Sequence, residues 1–274
     1  MTSSRPAKSG DGTGEEKASS KSEATPTTAP GQIHLPDLQY VGPVTDLPLP
    51  PADLPYPEYD DWFNRELLIA NGIQPDETEI AQALKTQEGL LLSAAAHSSY
   101  AFPGLAAPLR DLVEGADEDA AVEAAYSLAR QGDNVGRGAL REAMTLPLGP
   151  YLSPILAAGR LARLGDRSGE PVIQAGLTSE YLATRMLSCK QLFLYAPIDR
   201  DANSSVDAVS EWSQLVRLAL ADDEPAIQRE ILMQLQFLRC PAIAPLVHAY
   251  LQRAEDPALV ARARDVLAAL DLET

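Results

Sequence analysis

The chain has little of several things. Of its 274 residues only 5% are aromatic, two are cysteine and three are histidine. Two cysteines, Cys189 and Cys240, cannot form a disulfide framework in a chain of this size, and they are expected as small buried apolar side chains. Apolar runs of about 18 residues are missing, which argues against a membrane span. The first residues, "MTSSRPAKSG", lack the apolar stretch of a secretory signal, so a cytoplasmic location is expected. Positive charge is also scarce. The net charge is −17, and Lys190 is the only lysine after Lys85. That opposes nucleic acid and anionic membranes as partners, since phosphate contacts require Lys and Arg.

The means of chemistry are similarly thin. His34, His97 and His248 are far apart, with no H-x-x-x-H or His-Glu pair. There is no Walker A, G-x-G-x-x-G or G-x-S-x-G motif. Three acidic clusters occur, Asp60-Asp61, Asp117-Glu118-Asp119 and Asp222-Asp223-Glu224. The last two stand at expected helix starts, where the helix dipole accounts for them. His248 is expected as a partly buried helix residue. No catalytic residue, metal ligand or cofactor site is assigned, and the chain is not expected to be an enzyme.

What the chain does have is Leu and Ala, within a hydrophobic fraction of 45%. Both favour helix, and β-branched runs are rare, so an all-α fold is expected. Residues 1–31 hold four Lys or Arg and four Asp or Glu among Ser, Thr, Gly and Pro. Such a segment has nothing to bury and is expected to be disordered. Residues 32–89 carry eleven acids and two bases. Prolines 36, 43, 48, 50, 51, 55 and 57 make the approach extended. Residues 32–75 are expected to form this acidic segment and an N-terminal cap helix with Trp62, Leu67, Ile69 and Ile73 inward. The run "DETEIAQALKTQEGLLLSAAAHSS" reads as one long helix, with Ile80, Leu84, Leu91 and Ala95 on one side.

From residue 76 onward, helix, short turn and helix alternate every 33 to 40 residues, the spacing of a solenoid. One motif is written twice. "LARQGD" begins at Leu128 and "LARLGD" at Leu161, offset by 33, each with Leu140 or Ile173 twelve residues on. Ile155, Ala158, Leu161 and Ala162 share a helix face. Gly165 fits a left-handed helix end, and Pro171 fits the first turn of the next helix. A helix pair with two apolar faces must stack on a neighbouring pair, so the motif recurs.

The motif residues Leu161, Ala162, Leu164, Gly165, Asp166, Pro171 and Ile173 resemble HEAT-like repeats, notably the short form of phycobilisome lyases. Leu128, Ala129, Gly132, Asp133 and Leu140 form the preceding copy, and Leu235, Leu238, Pro245 and Val247 a weaker third. The resemblance spans roughly residues 80–271 and implies an α-solenoid of about five helix pairs over residues 76–274. Standard HEAT repeats often pair the turn Asp with an Arg of the second helix. Arg141 lies eight residues after Asp133, but Gln174 holds the matching place after Asp166, so a continuous ladder is not expected. The iron-dependent HEAT enzymes resemble one another in His-Glu dipeptides. Here Leu35, Ser98 and Ala249 follow the histidines, so that subfamily is not expected.

The function expected is a non-catalytic scaffold or adaptor that binds another protein; the alternative is a chromophore-handling role like that of the phycobilin lyases. Tyr56, Tyr59, Trp62 and Phe63 concentrate four of the fifteen aromatic residues in one acidic stretch. They are candidates either to cover the open end of the solenoid or to dock a partner. Asp199 and Asp201 lie in "DRDANSSVDAVS", read as a long loop that interrupts the repeat spacing and as a further candidate partner site.

Overall fold

A computed structural model of the protein describes residues 47–48, 51, 56–115, 117–149, 152–196, 206–238 and 243–271. Among these residues there are thirteen α-helices and no strand. They are α1 (Tyr56–Ala70), α2 (Glu77–Thr86), α3 (Gly89–Ser98), α4 (Ala106–Val113), α5 (Glu118–Arg130), α6 (Asn134–Ala143) and α7 (Ser153–Arg163). Next come α8 (Glu170–Leu177), α9 (Leu182–Leu192), α10 (Val206–Leu220), α11 (Pro225–Leu238), α12 (Ala244–Leu251) and α13 (Pro257–Asp271). The expected disordered tail, His34 and the prolines before residue 48 lie outside the described residues, as do Asp199, Asp201 and Cys240.

The repeated Gly-Asp dipeptide explains how two of the turns are made, from α5 to α6 and from α7 to α8. Gly132 and Gly165 have φ of 85° and 79°, a conformation that only Gly adopts at little cost. They end α5 and α7 with the same bonds at the same offset: Asp133 N–H donates to Leu128 O, and Asp166 N–H to Leu161 O, both at 2.9 Å. The aspartates then cap the next helical turn. Asp133 accepts from Val135 N–H at 2.9 Å, and Asp166 from Ser168 N–H at 3.0 Å. One dipeptide thus closes a helix and opens the next.

The odd-numbered helices form one continuous row, with α1 on α3, α3 on α5, and so on to α13. The even-numbered helices pack against it as a second layer. This is a solenoid of six helix pairs, α2/α3 to α12/α13, with α1 as the first member of the odd row. The sixth pair comes from the stretch expected to be one long helix. That helix breaks at Gln87 and Glu88, whose backbones are extended, and Gly89 restarts the chain at φ 54°. The break folds α2 back against α3, making a hairpin by a different turn.

Helix faces follow the periodicity. Ile155, Ala158 and Leu161 are fully buried, as is Ile173, while Ala162 and Val172 are half-buried. Leu161 packs with Val122, Ala125, Leu140 and Ala157 where α5, α6 and α7 meet. Leu235 and Val247 of the weak third copy are also buried, whereas Pro245 is exposed. Three expectations need correcting. Ile69 is exposed, because the α1 contacts are supplied by Leu67 and Leu68. His248 is exposed, since the buried side of α12 carries Val247 and Tyr250. The expected loop over residues 199–210 is helical from Val206.

A ladder does exist, but between repeats. Arg110 on α4 meets Asp133 at 2.5 Å, and Arg141 on α6 meets Asp166 at 2.7 Å. Eight residues along a helix carry an Arg two turns away from the Asp at its start, toward the next turn. The partner is therefore the following repeat's Asp. Both arginines are more than half exposed, so the rungs set register more than they add stability. Cys189 is buried, and burial pushes its thiol up to about 12, leaving it inert.

Candidate binding site

Polar side chains of the odd row converge on one place. In α3, α5 and α7 the 33-residue offset links His97, Arg130 and Arg163. Arg130 and Arg163 are the arginines of the two L-A-R-x-G-D copies, and His97 holds the same place one repeat earlier. All three contact the acidic pair of α1. Asp61 receives His97 Nε2 at 2.7 Å and Arg130 at 2.8 and 3.0 Å. Asp60 lies 3.0 Å from Arg163 and accepts from Arg160 at 2.6 Å. Two adjacent carboxylates thus meet cations from three successive members of the row.

Below them sits Glu123 of α5. It accepts from Arg160 Nε at 2.9 and 3.0 Å and from Arg160 Nη2 at 2.5 Å. It also accepts from His97 Nδ1 at 2.9 Å. Both ring nitrogens of His97 therefore face carboxylates, so both carry protons and the ring is an imidazolium. Asp60, Asp61 and Glu123 thus bind His97, Arg130, Arg160 and Arg163 directly, a concentration of cations in an otherwise acidic protein.

Two of the cations are fixed by groups other than α1. The Arg130 guanidinium stacks on the Tyr100 ring, 3.2 Å from its centroid, and Arg160 is forked onto Glu123. The backbone is secured as well: Ser127 Oγ donates to Ala96 O and His97 O at 2.6 and 2.8 Å. The His97 side chain is fully buried, and those of Arg160 and Arg163 are 6% exposed, whereas Asp60 and Asp61 keep about a quarter of their surface in solvent.

The electrostatics follow from this geometry. Burial alone would raise the Asp60 carboxyl, but Arg160 and Arg163 overcome it and hold it at about 2. The same contest, won by His97 and Arg130, lowers Asp61. Glu123 is lowered by Arg160 and His97 against its burial. Burial would depress His97, but Glu123 and Asp61 raise it. Of the carboxylates facing this cluster, Asp119 is raised by burial, with Asp117 and Glu123 adding to it.

These shifts set a pH dependence. The lowered carboxylates stabilise the fold above their ordinary values near 4, and that stabilisation fades as pH falls toward about 2. The raised His97 stabilises the fold below its ordinary value of 6.5, and its contribution is lost as pH rises through its folded value. Melting temperature should therefore reach its plateau between about pH 5 and 6.5 and decline on both sides. His97→Gln should flatten the alkaline decline. If the slopes of wild type and variant match there, His97 is not charged in the fold.

The aromatic candidates divide around the acidic pair. Tyr56 opens α1. Trp62 is buried, Phe63 half-buried, and Tyr59 is 39% exposed, its ring stacked with Phe63 and tilted against Trp62. A chain with Trp212→Phe, which leaves Trp62 as its only tryptophan, should show blue-shifted emission that moves red on unfolding. Emission at the solvent-exposed wavelength in the folded protein would contradict this placement.

The other acidic clusters are structural. Asp117 caps α5 through Ala120 N–H at 3.0 Å, and Asp222 accepts from Glu224 N–H at 2.9 Å and pairs with Arg185 at 2.8 Å. Among the described residues no group of His, Cys, Asp and Glu is arranged to hold a metal ion, and no helix is long and apolar enough to cross a membrane.

No protein-family model matches this chain, and no curated protein matches it. Among solved structures, it is similar to human deoxyhypusine hydroxylase in complex with glycerol. The identity is 16% and the TM-score 0.36, over 77% of this chain and 80% of that one. At that level the neighbour's chemistry does not transfer to this chain.

Proposed function

We propose that the protein is a non-catalytic scaffold or adaptor, built on HEAT-like repeats and working in the cytoplasm, that binds another protein. The observation that supports this best is the engagement of His97. A general acid or base needs a ring nitrogen within reach of substrate. Both nitrogens of His97 are taken by Asp61 and Glu123, and the ring is fully buried. The strongest titratable centre is therefore arranged to hold charge in place rather than to move protons. The row of odd helices supplies an extended, rigid surface of the kind solenoids use for recognition. The acidic composition weighs against nucleic acid and membrane as partners.

The test is affinity capture with the full chain as bait, after which each captured protein is purified and titrated back by calorimetry. A purified partner that binds at micromolar concentration or better, on the order of −8 kcal/mol, meets the expectation. If no captured protein rebinds when purified, the scaffold reading fails.

A further inference from the structure

We propose that His97, Arg130, Arg160 and Arg163 form a receptor for paired carboxylates on a helical segment of a partner protein, and that Asp60 and Asp61 occupy it in cis. The proposal rests on the scaffold reading and names the site through which that scaffold recognises a partner.

Three observations carry it. The first is repetition. His97, Arg130 and Arg163 stand at equivalent positions of three consecutive repeats. A solenoid that places one cation per repeat on one line displays a ruler, and two successive carboxylates on a helix are what that ruler reads here. The second is preorganisation. Tyr100 stacks on Arg130, and Glu123 forks Arg160. Neither constraint comes from α1, so these two cations keep their positions when the acidic pair leaves, and less order is lost on binding a replacement. The third is the distribution of burial. His97, Arg160 and Arg163 are deep, whereas Arg130, Asp60 and Asp61 each keep about a quarter of their side chains in solvent, so the acidic pair lies with Arg130 at the mouth of the cluster. Removing Asp60 and Asp61 would take two carboxylates away from His97, Arg130, Arg160 and Arg163.

The aromatic residues define the occupant further. In α1 the acidic pair is followed directly by Trp62, buried, and Phe63, half-buried. The partner segment is accordingly a helix carrying two adjacent acids and then a large apolar side chain. Leu67 and Leu68, fully buried, keep the second half of α1 in place while its first half yields.

The test uses the full chain, wild type and Asp60→Asn/Asp61→Asn, and a fluorescein-labelled peptide of sequence DLPYPEYDDWFNRE, residues 53–66. Anisotropy should show the peptide binding the double variant at least about tenfold more tightly than wild type, because the cis competitor is weakened. The same peptide with both acids changed to Asn should lose that advantage. So should adding Arg130→Gln to the chain. Equal affinity for both chains, or equal affinity of both peptides, would overturn the proposal.

Should the double variant fail to fold, hydrogen exchange on the wild-type chain decides. Excess peptide should accelerate exchange of amides 59–63, and unchanged exchange would overturn the proposal. A concentration-dependent dimer of the wild-type chain that the peptide dissolves would assign the receptor to a second copy and overturn the partner-protein reading. Purified partners whose binding is unaffected by the peptide would remove this site while leaving the scaffold reading intact.

Discussion

Arg160→Met should destabilise the protein by about 3–5 kcal/mol, the range for removing one partner from a buried charge pair. Arg160 is 6% exposed and holds Glu123 and Asp60 at once. Methionine fills most of its volume, so packing is nearly kept while the charge is lost. Glu123, with 7% of its side chain exposed, would keep only His97 as a direct partner. Urea denaturation at pH 7 reads the effect as a lower midpoint. A second change, Glu123→Gln, should recover part of the loss, because it removes the carboxylate left stranded; the two substitutions should be strongly non-additive. A single-variant cost below about 1 kcal/mol would mean that water or protons reach Glu123 readily.

Leu161→Ala should cost about 2–5 kcal/mol, the range for truncating a fully buried Leu. Its neighbours Val122 and Ala125 come from α5 and Leu140 from α6, and these are helix faces that cannot collapse independently into the gap. Two repeats lose their shared contact at once. Thermal denaturation should show one cooperative transition at a lower temperature. A cost under about 0.5 kcal/mol, typical of surface positions, would contradict the stacking of α7 on α5 and α6.

How much of this is legible in the sequence depends on distance along the chain. The L-A-R-x-G-D copies reveal helix ends, turns and buried faces, because those depend on residues within a few positions of one another. The break at Gly89 is hidden, since Ile80, Leu84, Leu91 and Ala95 keep a helical rhythm across it. The spacing of Arg and Asp points to rungs within one repeat, whereas the rungs lie between repeats. The centre of the candidate site is hidden for the same reason. Asp60 and Arg160 are 100 residues apart, and His97 and Glu123 are 26 apart. No local motif joins them. One signal is present: a 33-residue step back from Arg130 lands on His97, the one ionisable residue in the stretch "GLLLSAAAHS". Extending the repeat alignment by charge rather than by Leu and Gly draws it out.

The bond from Asp60 on α1 to Arg160 and Arg163 on α7 also bears on how such a protein can change over generations. Most solenoids gain and lose units freely, because each unit touches only its neighbours. Here α1 reaches past α3 and α5 to α7, so the interval between them is measured out in space. Duplicating or deleting a pair between α3 and α7 would carry the arginines away from the acids. Among the described residues no comparable bond skips a pair beyond α7. A change in repeat number is therefore expected to be tolerated beyond α7 rather than between α3 and α7.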